Sequence, residues 1–300
     1  MTSLPLVIIF PLSPIAFQMG PVTVRWYGIA YAIAFLAGLW LAWRYLRYRG
    51  LTEVHWGVPA FWAIMLGLVC ARLYFDVQNG FLFYVTHPQD ILAFWQGGMA
   101  YFGAIFSVPI FIFIWTRVRH LQFWAFADAG ALFAAIGQPI GQLGNLVGGD
   151  IVGYPSNLPW AMRYTNPQTL APQLGVAYQP AVLYELLVGL LVLAILVLVW
   201  RYRRPRWGTL FVLYLPLYAI SQFIVCFWEA NSITAIDLKQ GQLSAIALFL
   251  VSIAVFLLWR RILHFNLEAM VSDIRARLKP DSPTPAPATE TDWRHLRPGG

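Results

Sequence analysis

Long apolar stretches recur along the chain, and short segments rich in polar and charged residues separate them. A helix that crosses the hydrocarbon layer of a bilayer needs about 20 mostly apolar residues. We expect a transmembrane helix in each of seven stretches: 26–43, 56–75, 94–115, 123–149, 181–200, 207–228 and 241–259. The pattern therefore predicts an all-α, polytopic membrane protein with about seven transmembrane helices.

Two apolar or mixed segments do not fit this pattern. The run 4–17 is interrupted by Pro11 and Pro14 and lacks both a basic start and a small-residue cleavage site, so it predicts neither a span nor a signal peptide. We expect it to lie along the outer membrane interface. The segment 150–180 is too polar and too rich in proline to span, and it predicts a small external head.

The end of the chain changes character after the last apolar stretch. Residues 265–279 predict an amphipathic interfacial helix at the inner surface, whose apolar face would hold Leu267, Met270, Ile274 and Leu278. Residues 280–300 are rich in Pro, Thr, Ser and Ala, which is typical of a disordered cytoplasmic tail. The predicted organisation is one transmembrane domain, 1–264, followed by these two segments.

Composition and charge support a membrane protein and indicate its orientation. Of the 300 residues, 59% are hydrophobic and 11% are charged, which excludes an ordinary soluble domain. Basic loops stay cytoplasmic, so the N-terminus is predicted outside and the C-terminus inside. The net charge of +7 reflects this bias and affinity for anionic lipid headgroups, and no nucleic-acid partner is expected. The basic residues follow the odd-numbered spans: Arg44, Arg47, Arg49, Arg117, Arg119, Arg201, Arg203, Arg204, Arg206, Arg260 and Arg261.

Neither the cysteines nor the histidines form a recognisable metal or nucleophile motif. Cys70 and Cys226 both fall inside predicted spans, so they indicate no disulfide framework and no metal spacing. The five histidines lie in loops, at helix ends or in the tail. We therefore expect no metal and no cofactor.

A glycine-rich polar segment, 141–153, closes the fourth predicted span. It carries five glycines, the amides of Gln142 and Asn145 and the carboxylate of Asp150. In hydrocarbon such polar groups must face other helices or a wet cavity. The glycines allow close approach of either a neighbouring helix or a lipid headgroup, and the sequence leaves both open.

Arg72 is the most conspicuous charge within a predicted span. A lone arginine near a span end either pairs with a carboxylate, here Asp76 one turn away, or holds an anionic ligand. The sequence alone leaves both interpretations open.

These motifs resemble a known family. Asn145 and its neighbouring glycines, with Asp150 following, resemble the signature G-R-x-G-N-F-x-N-G-E-x-x-G of bacterial phosphatidylglycerol:prolipoprotein diacylglyceryl transferase. Four more segments resemble motifs of that family in the same order, so that the similarity covers about residues 10–262: 20–28, 95–99, 180–185 and 218–227.

The resemblance implies a function and a location. Members of the family move the diacylglyceryl group of phosphatidylglycerol to the lipobox cysteine thiol of a lipoprotein precursor at the outer face of the bacterial cytoplasmic (inner) membrane, and they release glycerol phosphate. The implied partners are phosphatidylglycerol, lipobox-containing prolipoprotein signal peptides and membrane lipids. The implied catalytic residues are Tyr27, Asp150, Glu185 and Tyr218, and the implied substrate-binding residues are Gln142, Asn145, Gly149, Gly153, Gln222 and Arg72.

The chain departs from the family at five positions. The family pattern has His, Arg, His, Arg and Glu where this sequence has Phe102, Gln142, Gln179, Gln222 and Cys226. Two hypotheses follow. The first is a divergent transferase in which amides hold the phosphate, a carboxylate or tyrosine replaces histidine, and Arg25, Arg72 or Arg163 supplies the missing charge. The second is a non-catalytic member that binds anionic lipid or a lipoprotein signal peptide.

Overall fold

A computed structural model of the chain describes residues 7–20, 22–51, 56–88, 91, 99–203, 205–230 and 237–278. Seven helices lie within these residues, and six of them are long and apolar enough to cross a membrane. The predicted all-α membrane fold is thus confirmed. The helices are α1 Trp26–Tyr48, α2 Gly57–Thr86, α3 Tyr101–Val118, α4 Phe123–Gly148, α5 Ala181–Arg203, α6 Thr209–Val225 and α7 Gln240–Leu278.

Several helix bounds differ from the predicted spans. α2 continues beyond residue 75, with a break at Gly80, where φ is 138° and ψ is 66°. α3 begins at Tyr101, and residues 94–98 of the predicted third span lie outside the described residues. α6 has 17 residues because Gly208, at φ 89°, sets its start and a turn follows Val225. Cys226 therefore lies just past α6 and not inside a span.

The chain divides into two compact units, Met1–Val255 and Phe256–Gly300. In the second unit the described residues, 256–278, are helical, where the sequence predicts a span ending at 259 and a separate helix over 265–279. The side chains of the predicted amphipathic face and the tail 280–300 lie outside what the structure describes. The domain boundaries inferred from the sequence stay a prediction.

α4 is the central helix of the first unit. It packs against α1, α3, α5 and α6, whereas α2 packs along α3. Small residues on α4 permit this close packing, because they let neighbouring backbones approach. The buried alanines of α4 are Ala125, Ala127, Ala129, Ala131 and Ala135.

Asp128 of α4 joins three segments at the end of the bundle away from the glycine-rich polar segment 141–153, called the glycine-rich turn below. Its side chain is fully buried, and Oδ2 accepts hydrogen bonds from the Tyr45 hydroxyl at 2.6 Å and the Gly208 N–H at 2.8 Å. Oδ1 accepts the Phe211 N–H at 2.9 Å. Since Gly208 precedes α6 and Phe211 lies in its first turn, Asp128 caps α6 from another helix. Arg49 extends the network, donating to the Tyr45 hydroxyl at 2.9 Å.

Some of the residues outside the helices form five short strands. β1 Ile8–Phe10 pairs in parallel with β4 Met162–Tyr164, which pairs antiparallel with β5 Ala177–Tyr178. β2 Ile15–Met19 and β3 Val22–Arg25 form an antiparallel pair. The predicted head, 150–180, contains only short strands and turns, with a small core of Val152, Met162, Tyr164 and Tyr178.

Gly103 sits where α3 crosses α2. A Cβ atom at this position would lie 2.2 Å from the Cys70 carbonyl oxygen and 2.8 Å from the Ala71 Cα. Because these are backbone atoms, the two helices would have to separate. We expect Gly103→Ala to lower the free energy of unfolding by about 1–3 kcal/mol, as overpacking typically does. Thermal unfolding in detergent measures this change.

Gly130→Ala is the matched control for that prediction. The nearest atom to its added Cβ would be the Ile112 Cδ1 at 3.5 Å, an ordinary van der Waals contact. The control should unfold no earlier than the unaltered chain, because alanine favours a helix more than glycine does. Equal melting of the two variants would contradict the close α2–α3 crossing.

Candidate functional site

A cavity of about 680 Å³ opens within the first unit. Most of its wall is apolar and is formed by α1 from Tyr27 to Leu46 together with residues of α2, α3 and α4. Polar side chains gather at the end near the glycine-rich turn. They are Tyr27, Tyr31, Gln142, Asn145, Asp150, Glu185, Tyr218, Gln222 and Glu229. A long apolar chamber with a polar end suits a lipid whose headgroup lies at that end.

The C-terminal end of α4 positions two of these polar side chains. A Cβ on Gly144 would lie 2.9 Å from the Ala30 Cβ and 3.0 Å from the Tyr27 Cα, so this glycine serves the contact between α4 and α1. Gly149 ends the helix in the left-handed conformation, φ 74°, and its N–H donates to the Asn145 carbonyl oxygen at 2.8 Å. Asn145 and Asp150 thereby come from opposite sides of one turn and line the same cavity.

A chain of amide hydrogen bonds crosses the polar end. Gln142 Nε2 donates to Glu185 Oε2, and Gln222 Nε2 donates to Glu185 Oε1 at 3.4 Å. Asn145 Nδ2 donates to Gln142 Oε1 at 2.7 Å. The Asn145 side chain is buried, and its Oδ1 has no hydrogen-bond partner within the described part of the chain. The two glutamine amides are thus directed at a carboxyl group, and one acceptor oxygen faces the cavity unpartnered.

Sequence reasoning missed Glu229 and assigned Lys239 only to the charge bias. Glu229 is held beside the cavity by an antiparallel bridge to Gly153, and its Oε2 lies 3.5 Å from the Cys226 Sγ. Its carboxyl group also interacts directly with that of Glu185. The signal was two opposite charges within about a dozen residues after the sixth span, since ionisable groups there commonly mark a site.

Lys239 stabilises the turn that carries Glu229. Its Nζ donates to the carbonyl oxygens of Cys226, Phe227 and Glu229, the Phe227 contact being 3.2 Å long. Nζ also lies 4.7 Å from the centre of the Tyr154 ring. The three donors of the ammonium group are therefore engaged with backbone oxygens at the end of α6.

Asp150 is an exposed carboxyl group at the polar end of the cavity. It is exposed to the cavity, although surrounding protein encloses most of the side chain, and this desolvation raises the pKa of Asp150 above that of an ordinary carboxyl. Hydrogen bonds from the backbone N–H groups of Asp150 and Ile151 oppose that shift. A carboxyl group with a raised pKa can accept a proton near neutral pH.

Three of the residues implied by the resemblance do not line the cavity. Arg72 is buried, with Nε 3.2 Å from Asp76 Oδ1 and 3.1 Å from the Ile91 carbonyl oxygen. Of the two interpretations that the sequence left open for Arg72, the structure shows the ion pair with Asp76. Gly149 and Gly153 act through their backbones. A Cβ on Gly153 would lie 2.6 Å from the Trp228 carbonyl oxygen, so the bridge to Glu229 requires glycine there. Neither Arg25 nor Arg163 is among the lining residues.

Phe102 and Gln179, two more residues that depart from the family pattern, lie at or beside the cavity. Phe102 lines the cavity and packs against Tyr218, with ring centres 5.9 Å apart. Gln179 adjoins the polar end through its carbonyl oxygen, which accepts the Gly153 N–H at 2.9 Å. Within the described residues, no group of three His, Cys, Asp or Glu side chains is placed to hold a metal ion.

Comparison with known proteins gives one consistent family. The family model for prolipoprotein diacylglyceryl transferase matches residues 14–259. The chain is 33% identical over 249 residues to a phosphatidylglycerol–prolipoprotein diacylglyceryl transferase of Thermosynechococcus vestitus, covering 81% of this chain and 91% of the relative. It is also 33% identical over 250 residues to the protein of that name from Bacillus licheniformis, covering 82% and 92%. A third relative of the same name, from Limosilactobacillus reuteri, is 33% identical over 261 residues, covering 85% and 93%.

Proposed function

Because the chain belongs to the prolipoprotein diacylglyceryl transferase family, we propose that it transfers the diacylglyceryl group of phosphatidylglycerol to the cysteine thiol of a prolipoprotein lipobox. It is a multi-pass membrane protein. The proposal places it in the bacterial inner membrane, with the polar end of the cavity toward the outside. The predicted positive-inside orientation supports this placement, since the arginine-rich helix ends lie away from the glycine-rich turn.

One observation carries the proposal. The side chains that the resemblance implies as catalytic, which come from four parts of the chain, all line one cavity with an apolar wall and a polar end. Tyr27 comes from α1, Glu185 from α5 and Tyr218 from α6, and Asp150 follows α4. All four line the cavity, as do Gln142, Asn145 and Gln222 of the implied substrate-binding set. A diacylglyceryl donor needs an apolar volume for two acyl chains beside a polar headgroup site, and the cavity has both.

The proposed reaction is a displacement at the glyceryl carbon that carries the phosphate. The cysteine thiol gives its proton to a carboxylate, and the thiolate then forms a bond to that carbon. The bond between this carbon and the phosphate oxygen breaks, and glycerol phosphate leaves with the electron pair. Asp150 is the proposed base, because it is exposed to the cavity and its raised pKa suits proton transfer near neutrality.

A second candidate function is supported by the hydrogen-bond partners of two glutamine side chains at the polar end. Gln142 and Gln222 occupy positions where the family pattern has arginine, and both donate to Glu185. A charge-assisted phosphate contact is worth about 1.5–3 kcal/mol, so losing two of them weakens phosphate binding and leaving-group stabilisation. A member that binds a lipid or a signal peptide without turnover fits this arrangement.

Release of glycerol phosphate distinguishes the two candidates. The purified full chain is incubated with phosphatidylglycerol in detergent and a lipobox peptide, beside Asn145→Ala and a peptide with serine in place of cysteine. We expect release from the unaltered chain and a decrease of about tenfold or more in Asn145→Ala, which removes the donor to Gln142. Peptide or lipid binding without release would instead favour the non-catalytic function.

The predicted domain organisation is part of the same proposal. Residues 1–264 would form the transferase domain, with 150–180 as its external head. Residues 265–279 would lie at the inner membrane surface, where an amphipathic helix rich in basic residues binds anionic lipid, and 280–300 would be a cytoplasmic tail.

A further inference from the structure

Glu185 and Glu229 form a pair of carboxyl groups at the polar end of the cavity. Both residues line the cavity, and they are only 6% and 5% exposed. Glu185 lies near the start of α5, whereas Glu229 follows α6 and is held by the antiparallel bridge to Gly153. The two carboxyl groups share a hydrogen bond. The fold thus brings two acidic groups from separate segments into contact, away from bulk water.

A hydrogen bond between two carboxyl groups requires a proton. An ionised carboxyl group can only accept hydrogen bonds, so one member of a hydrogen-bonded pair must be protonated. Two negative charges in contact in an apolar surrounding would also repel strongly, and one retained proton removes that repulsion. The pair of Glu185 and Glu229 therefore holds one proton between its members and carries one negative charge.

The amide groups around the pair indicate which member donates. Glu185 Oε2 accepts Gln142 Nε2, and Glu185 Oε1 accepts Gln222 Nε2 at 3.4 Å. Both oxygens of Glu185 thus serve as acceptors, as in an ionised carboxyl group. Glu229 is therefore the member that donates its O–H group, and Glu185 is the member that accepts it.

The other groups around the pair leave little positive charge for a phosphate. Asp150 lies close enough to act on Glu185, and Lys239 Nζ donates to the backbone oxygen of Glu229. Other titratable side chains near the pair are Tyr31, Tyr218 and Cys226. The described residues that line the cavity include no lysine, arginine or histidine. Neutralising an additional negative charge on a ligand at this end therefore falls to a proton.

Breaking the bond between the glyceryl carbon and the phosphate oxygen creates such an additional charge. The phosphodiester of phosphatidylglycerol carries one negative charge, whereas the released monoester carries two unless it gains a proton. The second proton of a phosphate monoester dissociates with a pKa of about 6 in water, and an apolar surrounding further opposes the doubly charged form. Gln142 and Gln222 stand where the family pattern has arginine, and their neutral amides supply no compensating charge. An acid beside the leaving oxygen would remove the second charge.

We propose that Glu185 and Glu229 act together as an acid that delivers their shared proton to the phosphate oxygen of the leaving group. This step rests on the proposed transfer function. The thiol gives its proton to Asp150, and its sulfur bonds to the glyceryl carbon. The carbon–oxygen bond breaks, and the oxygen takes both the electron pair and the proton of Glu229. Glycerol phosphate leaves with one negative charge, and the proton on Asp150 returns to the pair through solvent, so that protons and charge balance over one turnover.

Infrared spectroscopy of the full chain in detergent tests whether the pair holds a proton. At neutral pH, the C=O stretch of a protonated carboxyl group is separate from the bands of ionised carboxylates, and it shifts in D₂O. Glu229→Gln should lose one such band, because its amide still donates to Glu185 but carries no carboxyl group. Glu229→Asp should keep the band at a shifted position, so the assignment survives if the glutamine variant fails to fold. A spectrum in which neither substitution alters such a band overturns the proposal.

Release of glycerol phosphate tests whether the proton is used. Because Glu229→Gln keeps the size of the side chain and its hydrogen bond to Glu185, KM for phosphatidylglycerol should stay nearly unchanged. Its kcat should fall about 10²–10⁴-fold, as for loss of a general acid, whereas a merely structural role would leave kcat unaltered. Asp237→Asn makes the same change from carboxyl to amide at an exposed position outside the cavity, and it should keep both constants.

The two measurements separate failure of this inference from failure of the proposed function. If Glu229→Gln keeps kcat within about tenfold, the pair is not the acid. If the unaltered chain releases product but shows no band assigned to the pair, this inference alone is overturned. If the band is present and the unaltered chain releases no glycerol phosphate, the transferase function is overturned and the delivery step with it.

Discussion

Replacing Asp150 by asparagine is expected to lower the rate of diacylglyceryl transfer by about 10²–10⁴-fold, the range typical for loss of a general base. The substitution keeps the size of the side chain, and the oxygen that remains still accepts a backbone N–H group. What it removes is the ability to take the thiol proton. The rate is measured as release of glycerol phosphate, with lipid binding followed separately to show that the cavity persists.

The pH dependence of transfer follows from the same group. A base acts in its deprotonated form, and burial raises the pKa of Asp150 above the ordinary carboxyl value. In the unaltered chain the rate should therefore rise with pH across a range above that of an exposed carboxyl group, and then level off. Asp150→Asn should lose this rise, because no proton acceptor titrates at that position.

Asp237→Asn is the matched control for Asp150→Asn. Asp237 is exposed, lies outside the cavity and has φ 57°, a conformation that asparagine tolerates well. The control should keep both the rate and its pH dependence. If Asp150→Asn retained the rate within about tenfold together with the same pH profile, another group would have to be the base.

Removal of the Asp128 carboxyl group is expected to have the largest effect on stability. Asp128→Ala leaves three buried donors, the Tyr45 hydroxyl and the N–H groups of Gly208 and Phe211, without their acceptor. Each unsatisfied buried donor costs about 1–3 kcal/mol, so we expect a total on the order of 3–5 kcal/mol after partial rearrangement. The measurement is thermal unfolding of the purified chain in detergent.

A graded series tests this assignment. Asp128→Asn keeps one acceptor oxygen and should unfold at an intermediate temperature. Tyr45→Phe removes a single donor to Asp128 and should cost about 1 kcal/mol. An Asp128→Ala variant that melts no lower than Tyr45→Phe would show that Asp128 does not cap α6.

The hydrophobic pattern predicted the helices because the bilayer imposes their length and composition. α1, α4 and α5 begin at the predicted first residues, and each has few polar interruptions. The predicted helix ends were wrong where the local backbone conformation ends a helix. α6 is shorter than predicted because Gly208 and the turn after Val225 limit it, and the apolar residues beyond it do not reveal that turn.

Seven of the ten site residues expected from the sequence line one cavity, whereas the hydrogen bonds among them were not predicted. The residues of the glycine-rich turn and Glu185 meet as their polar character in a membrane requires. Glu229 escaped notice because its approach depends on a backbone bridge to Gly153, a contact between segments 76 residues apart that no periodicity encodes. The direction of each amide also depends on its partners in space, which the sequence does not display.

The packing of the helices has a consequence for how lipids exchange. α1 is held by α4, whereas α2 is held by α3, so the two sides of the chamber belong to different packing groups. α1 and α2 both line the chamber but pack mainly against other helices. Because the donors to Asp128 lie on α1 and at the start of α6, a separation of α1 from α2 would leave those hydrogen bonds intact, so we expect the width of the chamber and the stability of the fold to vary independently.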